Sequence, residues 1–141
     1  QEDLPVKRKK KPLPHHHIAV GVVYKRGKIL IARRKDDAML GGLWEFPGGH
    51  REKRESLKNC VAREVREELG IKIAVGKKFA EVEHAYSHFS ITLHAFHCDW
   101  ISGRPRALGC AACKWVSPRE LARYAFPAAN RKVIAELTRE D

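Results

Sequence analysis

Glu55, Arg63, Glu64, Glu67 and Glu68 are the residues of this chain whose types and spacing best suit chemistry. On a helix Glu64, Glu67 and Glu68 fall at i, i+3 and i+4, so they share one face. Carboxylates gathered in that way repel one another until a cation neutralises them. An all-oxygen donor set suits a hard divalent ion, Mg²⁺ or Mn²⁺. The bland alternative is a solvated helix face laced with ion pairs to lysine and arginine, and Arg63–Glu68 alone would fit it.

The elements that must carry these residues are legible around them. Leu57, Val61, Val65 and Leu69 recur every four residues on an adjacent face, which should pack inward. Ser56 suits the N-cap of this helix and Gly70 the left-handed residue that ends it. Ile18–Tyr24 and Lys28–Arg33 read as strands joined by a turn at Gly27. Asp36–His50 reads as a glycine-rich loop leading to the helix. Glu81–Tyr86 and Phe89–Cys98 read as strands, the second alternating Phe89, Ile91, Leu93 and Ala95 against Ser90, Thr92, His94 and Phe96. Lys114–Val116 is a short strand, Ser117-Pro-Arg-Glu120 a capping-box start to a short helix, and Ala128–Arg139 a last helix. Strands first, a helix in the middle and a mixed sheet imply an α+β fold, with the sheet between helices.

Composition sets limits. With 141 residues and 43% hydrophobic content, the chain can build one core, and residues 15–141 read as one domain. No apolar run approaches the ~20 residues of a membrane span, so no membrane partner is expected. Cys60, Cys98, Cys110 and Cys113 are irregularly spaced and suggest a reducing cytoplasm rather than a disulfide framework. Cys110 and Cys113 resemble half a zinc site, but the other half is absent, and none of the four is expected to hold a cluster. The formal charge of +11 favours polyanionic partners. Lys7, Arg8, Lys9, Lys10 and Lys11 concentrate part of it in a proline-flanked segment, 1–14, that reads as a linker able to contact phosphates.

Taken whole, Gly49–Ile71 has nine fixed positions: Gly49, Glu55, Arg63-Glu64, an apolar residue, Glu67-Glu68, Gly70 and a closing apolar residue. That pattern resembles the box of the Nudix hydrolases, which act on a nucleoside diphosphate linked to another group. The resemblance implies a mixed sheet between helices, with Glu64, Glu67, Glu68 and the Gly48 carbonyl as metal ligands. It also implies Glu55 and Arg63 as residues orienting those ligands through a salt bridge, and phosphate hydrolysis at the metal.

Two further residue sets narrow the comparison. Ala19-Val-Gly, Arg33-Arg34, Glu45-Phe-Pro-Gly-Gly49 and Phe126-Pro-Ala-Ala-Asn130 are similar to the MutT type, which hydrolyses oxidised guanine nucleotides. There the resemblance gives Asn130 and Arg34 to the base, although Asn130 also fits a helix N-cap. Leu4-Pro-Val-Lys7, Leu40–Pro47 and His84-Ala-Tyr-Ser-His-Phe89 resemble the C-terminal domain of the MutY adenine glycosylases. That resemblance implies that Tyr86, Ser87 and His88 probe 8-oxoguanine in DNA, with a glycosylase part upstream. It is the reading these residues favour, with a MutT-type pyrophosphohydrolase as its alternative and a non-catalytic interaction module third. A monomer is expected in each case. The chain departs from MutT enzymes in two ways: 108–113 lacks their distal carboxylate, and His50 replaces a lysine.

Overall fold

The computed structural model describes residues 13–139; Lys7, Arg8, Lys9, Lys10 and Lys11 lie outside them. The sheet is built from β1 (His15–Lys25), β2 (Lys28–Arg33), β3 (Trp44–Glu45), β4 (Gly48–His50), β5 (Lys72–Ala85), β6 (Ser90–Ser102) and β7 (Ala112–Val116). Its central order is β3-β2-β1-β6-β5, with β4 added beside β1 and β7 beside β2. The β1–β6 pair is parallel and the other pairs are antiparallel.

One helix covers each face. α1 (Leu57–Leu69) starts where Ser56 Oγ accepts from Asn59 N at 3.0 Å and stops at Gly70, whose φ is 72°. α2 is Ala128–Arg139. Alternation along β1 sorts its side chains between them: Val20 and Val22 enter the core under α2, Ala19 and Val23 the core under α1. Gly21 lets α1 come in close, since a Cβ there would sit 3.0 Å from both Val61 Cγ1 and Cys98 Sγ. Mixed sheet between helices is the expected architecture. Among the described residues no helix is long and apolar enough to cross a membrane.

Several local expectations change. The glycine-rich run 36–50 contains β3 and β4, and β5 begins well before Glu81. β6 does not alternate between core and solvent: Ile91–Phe96 are all buried, because the strand lies between β1 and β5 with helices above and below. Its buried polar residues are paired. His15 Nε2 meets Thr92 Oγ1 at 2.7 Å, and His94 lies between His17 at 3.0 Å and Lys78 at 3.1 Å. The segment after Ser117 is a 3₁₀ turn, Pro118–Arg123, held by Ser117 N donating to Glu120 Oε1 at 2.7 Å.

Candidate active site

α1 presents its acidic face to the turn between β3 and β4. Gly49 lies so close to Glu64 that a Cβ would come within 2.5 Å of its carboxyl carbon, and Gly48 is pressed equally hard against β1. Glycine at both positions brings bare backbone onto the carboxylates.

Arg63 is the hub of the cluster. It donates from Nε to Glu55 Oε2 at 2.6 Å and from Nη2 to Glu55 Oε1 at 3.0 Å, a two-pronged grip. Its Nη1 reaches Glu67 at 3.1 Å and Glu64 at 3.3 Å, and Nη2 reaches the His50 carbonyl at 3.2 Å. The Arg63 hydrogen bonds hold the Glu55 carboxyl down at about 2, well below the usual range. Glu55 and Arg63 thus tie the loop before α1 to the acidic face.

Glu68 is the opposite case. Its Oε1 is buried without a hydrogen-bond partner among the described residues, and burial, with Glu45 and Glu64 adding repulsion, pushes its carboxyl up to about 8. Burial also raises Glu64. A buried oxygen with no donor is costly unless something positive is supplied to it. Glu64, Glu67, Glu68 and the Gly48 backbone are all oxygen donors, and they fit a hard divalent cation. Among the described residues no cage of His, Cys, Asp or Glu is already drawn around one point. Arg63 holds Glu64 and Glu67 instead, as the counter-charge at hand.

Across Gly48–Gly49 opens a pocket of about 390 Å³. Ile18, Val20, Ile91 and Leu93 give it an apolar floor, Tyr86 and Phe89 one wall, and Met39 and Leu40 its rim. The Tyr86 and Phe89 rings stack with centroids 4.7 Å apart. Asn130, buried in α2, accepts at Oδ1 from Phe46 N at 3.3 Å. A backbone N–H can only donate, so that bond fixes the amide orientation and leaves the Asn130 NH₂ for a ligand. Asn130 is the third residue of α2 and is not its N-cap. Arg34 enters the same wall, donating to Glu45 Oε1 at 3.0 Å and to the Met39 carbonyl at 2.7 Å.

The structure therefore gathers Arg34, Tyr86 and Asn130 in one pocket, but not Ser87 and His88. Those two are exposed at the tip of the β5–β6 hairpin, beyond the turn closed by Tyr86 N and Phe89 O at 2.7 Å. The cysteines form no cluster: Cys60, Cys98, Cys110 and Cys113 are all free.

Glu45 is the residue that sequence reasoning missed. Half-buried in the pocket wall, it is raised by desolvation against the pull of Arg34, and its charge is felt at Glu68. It supplies, from another segment, a further carboxylate near the cluster. The available signal was a lone acid just before Phe46-Pro47-Gly48-Gly49 in an otherwise apolar run.

Comparison with known proteins agrees with this geometry. The NUDIX domain model matches residues 19–136. The chain is 37% identical to the CTP pyrophosphohydrolase of Escherichia coli K12 over 113 residues, covering 80% of this chain and 84% of that protein. It is 35% identical to the 8-oxo-dGTP diphosphatase of the same organism over 123 residues, 86% of this chain and 95% of that one. The crystal structure of the MutT protein from Methanosarcina mazei Go1 superposes with a TM-score of 0.83 at 26% identity, over 93% of this chain and 98% of the other. With a domain match across most of its length and relatives of this similarity, the chain belongs to the Nudix family and is a hydrolase.

Proposed function

We propose that this chain is a MutT-type pyrophosphohydrolase that converts oxidised guanine nucleoside triphosphates of the 8-oxo-dGTP kind, with water, to the monophosphate and pyrophosphate. The observation that carries the reading is the shared wall. A nucleoside-sized pocket and an acidic cluster with an orphaned carboxylate oxygen lie on either side of Gly48–Gly49. A base held in the pocket would send its phosphates toward the cluster. The relatives that act on CTP and on 8-oxo-dGTP support a nucleoside triphosphate substrate.

Glu64, Glu67, Glu68 and the Gly48 carbonyl would hold Mg²⁺ or Mn²⁺. That ion, when bound, polarises phosphate oxygens and acidifies a water ligand. Arg63, braced by Glu55, sets the positions of Glu64 and Glu67. In the pocket the Asn130 NH₂ donates to an acceptor on the base edge, as a keto purine offers, and Arg34 assists. Tyr86 and Phe89 supply an aromatic face for the base.

One observation favours a second reading, 8-oxoguanine recognition in DNA by a glycosylase-type domain. Tyr86 lines the pocket while Ser87 and His88 stand exposed beside it, on a tip that a duplex could reach. In that reading Ser87→Ala lowers the preference for 8-oxoguanine over guanine in duplex DNA; equal loss on both duplexes would mean a structural role.

The deciding experiment is pyrophosphate release from 8-oxo-dGTP, dGTP and CTP with Mg²⁺, with Glu67→Gln as control. Release that favours 8-oxo-dGTP and vanishes in the variant supports hydrolysis of the oxidised nucleotide. Faster release from CTP would move the substrate to pyrimidines. No release from any of the three would leave lesion recognition.

A further inference from the structure

Met39 is the single methionine of the chain, 59% exposed, and it stands at the rim of the pocket. Its loop is tightly held. Arg34 N donates to the Leu43 carbonyl at 2.9 Å, Gly42 N to the Arg34 carbonyl at 3.1 Å, and Arg34 Nε to the Met39 carbonyl at 2.7 Å. Leu40 is left-handed, with φ 58°. Gly41 packs so closely that a Cβ would lie 2.3 Å from the Asp36 carbonyl oxygen. The backbone that carries the thioether is therefore held in place, with the side chain exposed and lining the pocket.

The other sulfurs compete poorly for an oxidant. Cys60, Cys98 and Cys110 are buried, and burial pushes their thiols up to about 11, about 12 and about 11. Cys113 is only half-buried, but burial raises it as well. A thiol reacts as its thiolate, whereas a thioether needs no deprotonation.

We propose that Met39 is an oxidation site at the mouth of the nucleoside pocket, and that its sulfoxide weakens nucleotide binding. This rests on the pocket being the nucleoside site. The oxidant is hydrogen peroxide. A sulfur lone pair attacks one peroxide oxygen, the S–O bond forms as the O–O bond breaks, and the departing hydroxide takes the proton of the new S–OH group to leave as water. Sulfur loses two electrons and the peroxide gains them. An apolar rim becomes a polar one, and the sulfoxide oxygen is a strong acceptor on the residue whose carbonyl already takes an Arg34 N–H. The acidic cluster lies beyond Gly48–Gly49, so affinity changes and the cluster does not.

The test treats the full chain with hydrogen peroxide, locates added oxygen by peptide mass, and measures 8-oxo-dGMP binding by calorimetry before and after. One oxygen on Met39 should accompany a loss of affinity of roughly 4-fold or more, the worth of about one buried methylene. Methionine sulfoxide reductases should restore it, and Met39→Leu, read against its own untreated baseline, should show no peroxide effect. Oxidised Met39 with unchanged affinity, an equal loss in Met39→Leu, or an unmodified Met39 would each overturn the proposal. Absence of 8-oxo-dGMP binding before treatment removes the nucleoside reading and the proposal with it, and the mass result separates that failure from the others.

Discussion

The two sides of Gly48–Gly49 treat buried polar groups in opposite ways. On the pocket side they are already paired: the Asn130 carbonyl takes the Phe46 N–H, and Arg34 is shared between Glu45 and the Met39 carbonyl. On the α1 side negative charge is in surplus. Among the described residues Arg63 alone answers Glu55, Glu64 and Glu67, and Glu68 Oε1 has no partner. A recess whose polar groups are held in place by the protein is formed in advance and can recognise shape and hydrogen-bonding pattern. A cluster with an unanswered carboxylate is incomplete until charge arrives.

The largest effect expected from that difference lies in α1. Glu68→Gln keeps the size of the side chain and removes the ionisable carboxyl. Loss of a residue that merely orients a metal ligand costs about 10–100-fold, so loss of a proposed ligand should lower kcat by more than roughly 100-fold. The metal-free thermal midpoint should hold steady or rise, because a buried, unpaired carboxyl oxygen is lost. Unchanged turnover, or a large drop in the metal-free midpoint, would mean that Glu68 is an ordinary structural residue and would break the contrast.

A smaller effect belongs to the pocket. Asn130→Asp keeps an acceptor for the Phe46 N–H and loses the donor proposed for the base. KM for 8-oxo-dGTP should rise about 10-fold, the equivalent of one hydrogen bond, with kcat nearly kept. Asn130→Ala leaves the Phe46 N–H buried and unpaired, at about 1–3 kcal/mol of stability besides the same rise in KM. Equal melting behaviour of the two variants would show that the bond to Phe46 contributes nothing, and the pocket would no longer count as formed in advance.

Much of the α1 side was legible in the sequence because its determinants are local. Ser56, Gly70 and the four-residue apolar period delimit Leu57–Leu69 with no reference to the rest of the chain. β3 and β4 were not legible: they are two and three residues long, lie in a glycine-rich run, and exist only through pairing with β2 and β1. The same reason hid Glu45, whose neighbours Arg34 and Glu68 come from other elements. Asn130 had two readings in sequence; its place as the third residue of α2 removes the N-cap, and its bond to Phe46 N comes from a residue 84 positions away in the chain. Ser87 and His88 look equivalent to Tyr86 on the page, yet the hairpin turn sends only Tyr86 inward.

The smallest effect, and the one that sharpens the contrast most, is a proton. With its carboxyl raised to about 8, Glu68 is mostly protonated at pH 7 before a cation binds. Binding Mg²⁺ requires the carboxylate, so uptake of the ion should release up to one proton at pH 7 and little above pH 9. Apparent Mg²⁺ affinity should climb as pH rises toward 8. The stability of the metal-free chain moves the other way. A carboxyl raised above its unfolded value of 4.5 binds more protons folded than unfolded, so its contribution is lost as pH rises from about 4.5 to about 8. Calorimetry of Mg²⁺ binding in buffers of different ionisation enthalpy counts the proton directly, and Glu68→Gln should abolish the buffer dependence. Glu55, held down at about 2 by Arg63, cannot supply that proton at neutral pH. A proton count that survives in Glu68→Gln would place it on Glu64 or Glu45, the other two acids of the site raised by burial, and would shift the orphaned charge to one of them.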